Sequence, residues 1–443
     1  MRNYSREDIM DMVEKQDVRF IRLQFTDIFG ILKNVAITPG QLAKALDNDC
    51  MFDGSSIEGF ARIEESDMYL RPDLNTFVVF PWRPQQGRVA RLICDVYTPE
   101  GRPFEGDPRY ILRKTIDRAR KLGFEFQVGP ECEFFLFHQD EIGNATNVSH
   151  DQGGYFDLEP IGQGEDVRRE IVFALEDMGF EIEASHHEVA PGQHEIDFRF
   201  DEGLATADNI MTFKLAVKSI AKRYGMHATF MPKPVFGING SGMHTNMSLS
   251  RNGENVFADP DQPDGLSRIA KHFIAGLLAH AKGICAVTNP LVNSYKRLVP
   301  GYEAPCYIAW SAKNRSPLIR IPAARGKSTR IELRSPDPSC NPYLELALCL
   351  AAGLDGIERE LLPCDPTDVN IYQMSGSERV ACGIEQLPEN LSQAVDEMLL
   401  DEMVRRVLGD HVMERYTTAK RQEWDDYRIT VSKWELDRYL HMF

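Results

Sequence analysis

Apolar positions along this chain change period at a few well-marked points, and those points outline its elements. "SREDIMDMVEK" (5–15) repeats at helical spacing, with Ser5 as N-cap and Asp8 three residues on as a weak capping box. The pattern then turns β-rich in "RFIRLQFTDIFGILKNVAI" (19–37), where two runs flank Asp27-Ile28-Phe29-Gly30 and predict a hairpin. A short helix near 39–47, a loop over 52–60 and strands at 76–82 and 89–97 complete a small α+β unit. "TPEGRPFEGDPR" (98–109), rich in Gly, Pro and charge, is the candidate linker. Asp107 as cap, Pro108 in the first turn and Gly123 at the end mark a helix that opens a second unit. That helix feeds "FEFQVGPECEFFLF" (124–137), and "EDVRREIVFALEDMGFE" (165–181) likewise feeds "IEASHHEVAPGQHEIDFRF" (182–200). Long helices are predicted at about 204–224, 265–288 and 342–360, and the C-terminal stretch reads as polar helices.

The strand pattern raises a chemical question. In "GPECEFFLF" (129–137), Glu131, Glu133, Phe135 and Phe137 share one face, and Cys132, Phe134 and Leu136 the other. Two carboxylates side by side in a buried strand repel, so either that face is solvated or something cationic sits on it. Three further segments repeat the theme. In "SHHEVAPGQHEIDF" (185–198), Glu188 and Glu195 flank a Pro-Gly turn and could meet across a hairpin, with His186, His187 and His194 nearby; taken alone, the segment reads more readily as a solvated loop. From Met243, alternation places His244, Asn246, Ser248 and Ser250 on one face and Met243, Thr245, Met247 and Leu249 mainly on the other. In "RIELR" (330–334), Glu332 and Arg334 share a face with Ile331 and Leu333 behind.

Two glycine-containing stretches imitate nucleotide motifs without meeting their requirements. "GINGSG" (237–242) is followed by a strand, whereas a dinucleotide fingerprint needs a helix N-terminus there. "GKST" (326–329) lacks the glycine five residues earlier, where Ile321 stands, so it is no P-loop, although Lys327 remains available to a phosphate.

Composition adds limits. The chain has 443 residues, 43% hydrophobic and 26% charged, enough for two or three domains. Asp and Glu total 67 against 50 Lys and Arg, a net charge of −17 that argues against nucleic acid or an anionic membrane as the main partner. Nine dispersed cysteines without a C-x-x-C pair read as reduced thiols. There is no signal-peptide core and no run of about 18 apolar residues, so a cytoplasmic enzyme is expected.

Collected, Glu131, Glu133, Glu188, Glu195, Glu332 and His244 make a poor zinc site and a good one for two hard divalent cations. Arg297, Arg315, Arg320, Lys327 and Arg334 surround them in sequence. Metal ligands mixed with basic side chains are what phosphoryl transfer needs. The residues alone leave dispersed surface charge as the competing reading.

"DGSSIEGF" (53–60), "GPECEFFLF", "GINGSGMHTNMS" (237–248), "NSYKRLVPGYEAP" (293–305) and "RIELRSPDPSCNPYL" (330–344) together resemble type I glutamine synthetase, in order and across nearly the whole chain. The alpha-type enzymes of Gram-positive bacteria are the closest likeness. The resemblance implies an α+β fold, with an N-terminal β-grasp domain over 1–104 and a C-terminal catalytic domain over 105–443. The latter is of the glutamine synthetase/guanido kinase-like kind, with a curved antiparallel sheet. It implies ATP-dependent ligation of ammonia to glutamate through a γ-glutamyl phosphate, with Mg²⁺ or Mn²⁺ as cofactor, two or more ions per subunit. By the same resemblance Glu133, Glu188 and Glu195 hold one ion, and Glu131, His244 and Glu332 the other. Arg315 and Arg334 contact the transferring phosphoryl group. Asn239, Gly240, Arg297 and Arg320 serve glutamate, and Ser248 and Lys327 the nucleotide. Asp53, reaching in from the adjacent subunit of a dodecamer of two hexameric rings, binds ammonium and takes its proton. Glu303 is the carboxylate of a flap that keeps water from the acyl phosphate.

Two departures concern regulation. Tyr372, in "VNIYQMSGSERV", lacks the acidic, Pro-rich setting of an adenylylated tyrosine, so no adenylylation is expected. Arg62 matches a residue linked to glutamine feedback, and some alpha-type relatives bind nitrogen-responsive transcription factors. A γ-glutamyl-amine ligase using a polyamine, a non-catalytic assembly and a metal-dependent hydrolase are the alternatives. Intact Asp53 favours ammonia, the full ligand set favours catalysis, and the arginines with Glu303 disfavour a hydrolase.

Overall fold

The computed structural model describes residues 3–57, 59, 67–83, 86–158, 164–313 and 316–443. Its first helix, α1 (Arg6–Lys15), starts where the capping signals place it: Asp8 N donates to Ser5 Oγ at 3.1 Å and Ser5 N to Asp8 Oδ2 at 2.8 Å. β1 (Val18–Thr26) and β2 (Leu32–Ile37) form the expected antiparallel hairpin. Asp27 Oδ1 shapes its turn by accepting from the amides of Phe29 and Ile31 at 3.0 and 2.9 Å. α2 (Pro39–Leu46), β3 (Cys50–Asp53), β4 (Asp67–Val79) and β5 (Arg88–Tyr97) complete the unit. Sheet order is β2-β1-β5-β4-β3, with β1 and β5 parallel. Ile9, Val13 and Leu42 of the two helices pack with Ile21, Leu23, Leu70 and Leu92 of the sheet, the β-grasp arrangement.

β4 corrects one expectation, the strand at 76–82. It starts at Asp67, nine residues earlier, and stops at Val79. Its first half, "DMYLRPDLN", hides from an apolar-alternation reading because its polar groups have structural partners. Arg71 lies over the Tyr97 ring at 3.6 Å, and Asp73 bonds Arg109 of the next domain at 2.7 Å.

The second unit begins with α3 (Pro108–Lys121), capped by Asp107 as expected. In chain order follow β6 (Glu125–Gln139), β7 (Ala145–Ser149), α4 (Glu165–Asp177), β8 (Ile182–His187), β9 (Gln193–Phe198), β10 (Asp201–Glu202) and α5 (Gly203–Arg223). Then come β11 (Met226–Thr229), β12 (Met243–Arg251), β13 (Glu254–Asn255), α6 (Arg268–Thr288) and α7 (Ser294–Arg297). β14 (Tyr307–Ile308), β15 (Trp310–Ser311), β16 (Ile319–Arg320), β17 (Ile331–Leu333) and α8 (Pro342–Glu358) follow. The chain closes with α9 (Gly376–Ala381), β18 (Glu385–Gln386), α10 (Leu391–Leu400), α11 (Glu402–Arg428) and α12 (Lys433–Tyr439). Among the described residues eleven strands make one sheet, seven along the path β15-β16-β17-β12-β6-β9-β8, with β7, β10 and β11 paired to β6 and β13 to β12, antiparallel except for the β15–β16 pair.

β6 is the spine. Residues 125–132 pair with β12, residues 133–135 with β9, and residues 135–138 with β11. Exchanging partners midway lets the sheet curl around the Glu131–Glu133 step. The back face of the sheet rests on helices. α8 is buried from Pro342 to Gly356 and crosses α6 so closely that a Cβ on Gly276 would fall 2.0 Å from Ala352 O. The C-terminal helices are less polar than they read: Leu391, Ala394, Val395 and Met398 of α10 and Val404, Leu408 and Val412 of α11 join the core. Among the described residues no helix is long and apolar enough to cross a membrane.

Candidate active site

Strand register decides which acidic side chains meet. His244 on β12 stands opposite Glu131 on β6, and Glu332 on β17 stands opposite Asn246. His244 Nδ1 therefore lies 3.1 Å from Glu131 Oε2 and 3.9 Å from Glu332 Oε1. Asn246 Nδ2 donates to Glu131 Oε1 at 3.0 Å. Beyond the midpoint of β6, Glu195 faces Glu133 and His186 faces Glu195. His186 sits 3.5 Å from Glu188 Oε1 and 3.4 Å from Glu195 Oε1. Two ligand groups result, Glu131–His244–Glu332 and His186–Glu188–Glu195, each with ligand atoms within 4.8 Å of one another. Glu133 faces the second group, but its Oε2 accepts from Gln193 Nε2 at 2.7 Å and from Gly242 N at 2.9 Å. His186 joins the second group beside Glu133, which lines the same cavity.

The charges are crowded. Burial, then Glu188 beside it, pushes Glu133 up to about 8. Burial also raises Glu188 to about 7, with Glu303 adding to it against the Val189 amide. Burial, Asp197 and Glu133 hold Glu195 well above the carboxylate range, and burial with Glu131 raises Asp197 to about 7. Glu131 goes the other way: against the cost of burial, hydrogen bonds from His244 and Asn246 hold it at about 2. Carboxylates packed this way do not all ionise without cations. Oxygen-rich sets with one imidazole each fit hard divalent ions.

A pH test follows from these shifts. Around Glu133, Glu188 and Asp197 the folded state keeps protons that the unfolded chain releases above the ordinary carboxylate range. Metal-free stability should therefore fall as pH rises from about 5 to about 8, by roughly 1.4 kcal/mol per pH unit for each such proton. A divalent cation replaces those protons, so its stabilising effect should grow over the same window. Thermal melts with and without Mn²⁺ across that range check this; a metal increment independent of pH would contradict it.

Basic groups close the site from the other side. Arg320 Nη1 lies 2.7 Å from Glu332 Oε2, and Arg334 bonds the other oxygen. Buried Arg297, at the end of α7, donates to the carbonyls of Ser335 and Arg334 at 2.7 and 3.1 Å. Gly242 packs close beneath these groups: a Cβ there would lie 2.6 Å from Arg297 Nη2, so a larger residue would push that guanidinium aside. A cavity of about 450 Å³ has the acidic groups on its floor and Asn239, Gly240, Arg297, Glu303, Arg320 and Arg334 on its walls. A second, of about 660 Å³, is lined by Gln127, Phe200, Ser248, Lys327 and Arg330, and shares Glu131 and Asp197 with the first.

The expected residues thus separate into two adjoining compartments. Asp53 lines neither: it is exposed at the end of β3, where the Ser55 hydroxyl and amide, at 2.6 and 2.8 Å, hold its carboxyl below the usual range. Arg62 and Arg315 lie outside the described residues. The sequence reading missed Gln193, Asp197 and Arg330. Gln193, Glu195 and Asp197 repeat on β9 the alternation that marked Glu131 and Glu133, and that signal could have found them. Arg330 Nε donates to Asn246 Oδ1 at 3.0 Å, fixing the amide that holds Glu131.

Behind the hairpin lies a third ligand-like group, His150, Asp151 and His194. Asp151 accepts from Gly192 N at 2.7 Å and pairs with His187 at 3.1 Å, which fixes the turn between Glu188 and Glu195. Arg168 Nη1 lies 2.9 Å from His194 Nδ1, so a guanidinium already occupies this group, which braces the hairpin.

Carboxylates that demand cations, with guanidinium groups across the same cavity, are arranged for phosphoryl transfer. Fold and site together define a metal-dependent ligase of two domains. The chain belongs to the glutamine synthetase family: the family's catalytic domain matches residues 105–439 and its β-grasp domain residues 17–99. A glutamine synthetase of Clostridium saccharobutylicum is 63% identical over 443 residues, 100% of both chains. One of Thermus thermophilus is 61% identical, covering 99% of each. Among solved structures, a GmaS/ADP complex superposes with a TM-score of 0.89 at 35% identity, covering 98% of this chain and 99% of that one. The activity is that of glutamine synthetase, ligation of ammonia to L-glutamate, and the polyamine-ligase alternative is not favoured.

Proposed function

We propose that the two adjoining cavities divide this reaction between them, glutamate and ammonium in the smaller and ATP in the larger. The observation that carries this is their junction at Glu131 and Asp197, where a phosphoryl group can pass from one side to the other. The ADP named with the solved relative supports a nucleotide in the larger one. Residues 1–104 form the β-grasp domain and 105–443 the catalytic domain. Glu131, His244 and Glu332 hold a cation on the nucleotide side, and Glu133, Glu188 and Glu195, with His186, hold one on the glutamate side. Bound there, Mg²⁺ or Mn²⁺ would neutralise phosphate charge. Ser248 and Lys327 bind the nucleotide. Asn239, Gly240, Arg297 and Arg320 orient glutamate, so that its γ-carboxylate attacks the terminal phosphorus of ATP, the bond from that phosphorus to the bridging oxygen breaks, and ADP leaves. Arg334 and Arg315 stabilise the transferring group, and Glu303 closes the cavity over the γ-glutamyl phosphate that forms.

Asp53 takes the proton from ammonium in the cavity of a neighbouring copy, within a cytoplasmic dodecamer of two hexameric rings. Its exposure outside its own chain's cavity supports that arrangement. Feedback by glutamine through Arg62, and contact with nitrogen-regulatory transcription factors, belong to the same reading.

Phosphate release from ATP with glutamate and Mg²⁺, compared across ammonium, hydroxylamine and polyamines, tests the assignment. Ammonium and hydroxylamine should support it; release with polyamine alone would overturn it. Asp53→Ala should lower kcat/KM for ammonium by about 10²-fold, the scale of a lost general base, with ATP affinity nearly unchanged. Equal losses in both would contradict its role.

A further inference from the structure

The loop that carries Glu303 is anchored by a segment with no part yet in the reaction. Glu303 has φ +60°, a left-handed conformation that a non-glycine residue keeps only when its surroundings hold it. Immediately beyond it the chain is buried, and residues 371–387 grip it. β14 pairs with β18, Leu387 N donates to Cys306 O at 2.9 Å, and Ile371 and Ile384 share a small core with Cys306, Tyr307 and Ala309. From this segment Tyr372 reaches back to the loop. Its hydroxyl donates to the Ala304 carbonyl at 2.5 Å, one residue after Glu303. Its own place is fixed by Asn370, whose side chain accepts from Tyr372 N at 3.0 Å, and by Ile371 N donating to Ser316 Oγ at 3.3 Å.

We infer that Tyr372 is a positioning residue for the ligation: by holding the Ala304 carbonyl, its hydroxyl keeps Glu303 aimed into the cavity and the loop closed over the acyl phosphate. The inference rests on the reading of Glu303 as the closing carboxylate. When the loop loosens, water replaces ammonia as nucleophile. Its oxygen bonds to the acyl carbon, the bond from that carbon to the phosphate oxygen breaks, and a proton leaves to solvent. Glutamate and phosphate result, and ATP is consumed without glutamine.

Tyr372→Phe keeps the ring and removes the hydroxyl. With ammonium scarce, the ratio of phosphate released to glutamine formed should rise roughly fivefold, the equilibrium worth of one hydrogen bond, while KM for ATP stays unchanged. Amide hydrogen exchange over residues 298–304 should quicken in the same variant. A purely structural role would lower turnover or melting temperature and leave the ratio alone, and an unchanged ratio overturns the inference. Glu303→Gln, measured beside it, separates the two readings. If only Glu303→Gln uncouples, Tyr372 has no such role and the Glu303 reading stands; if neither does, both fall.

Discussion

Replacing Arg334 with lysine should slow glutamine formation by about 10³-fold while ATP still binds, because the loss falls on the transition state. Arg334 is 5% exposed, bonds Glu332 and lines the glutamate-side cavity. Its Nε has no hydrogen-bond partner among the described residues, so the guanidinium holds donors in reserve. Lysine keeps the charge but loses the planar fork, which can hold Glu332 and a phosphoryl oxygen together. Arg320 stays on the other oxygen of Glu332 at 2.7 Å, so the substitution leaves that carboxylate paired. Steady-state release of phosphate, with calorimetric titration of a non-hydrolysable ATP analogue, measures the two effects separately. A loss under tenfold would contradict the role proposed for Arg334.

The second large effect concerns the junction of the domains. Arg109→Met should destabilise the protein by about 3–5 kcal/mol, the cost of leaving buried charges without their partner. Arg109 is 3% exposed on α3. It reaches Asp95 and Asp73 of the β-grasp sheet, both at 2.7 Å, and grips Asp208 of α5 through Nε and Nη2 at 3.0 and 2.9 Å. Tyr343 of α8 donates to the same Asp208 at 2.7 Å. Asp95 keeps Arg113, but Asp208 would keep only the neutral tyrosine as a hydrogen-bond donor among these groups. Adding Asp208→Asn should recover part of the loss, since the two changes act on one network. Urea unfolding of the single and double variants gives the comparison; a fully additive double variant would contradict a shared network.

Much of the site is legible because strand chemistry alternates. Glu131 with Glu133, His244 with Asn246, and Glu332 with Arg334 each declare a polar face beside an apolar one; all but the buried Glu332 line one of the two cavities. Caps were equally plain at Ser5 and Asp107, where a local hydrogen bond sets the helix start. The first half of β4 was not, because Arg71 and Asp73 find their partners far along the chain. Nor was the place of His186 in the second ligand group, which depends on the pairing of β8 with β9.

The amino-acid sequence by itself determined which residue types share a strand face and where the capped helices begin. Both follow from local physics: a period of two in strands, and backbone donors that need caps at helix ends. Tertiary structure alone decided that Glu131 meets His244, that Glu332 joins them from a third strand, and that Asp197 stands at the junction of the two cavities. Sheet order and stagger make those choices. They come from how β6 changes partners and how α6 and α8 pack behind it, and no alternation within a single strand encodes them.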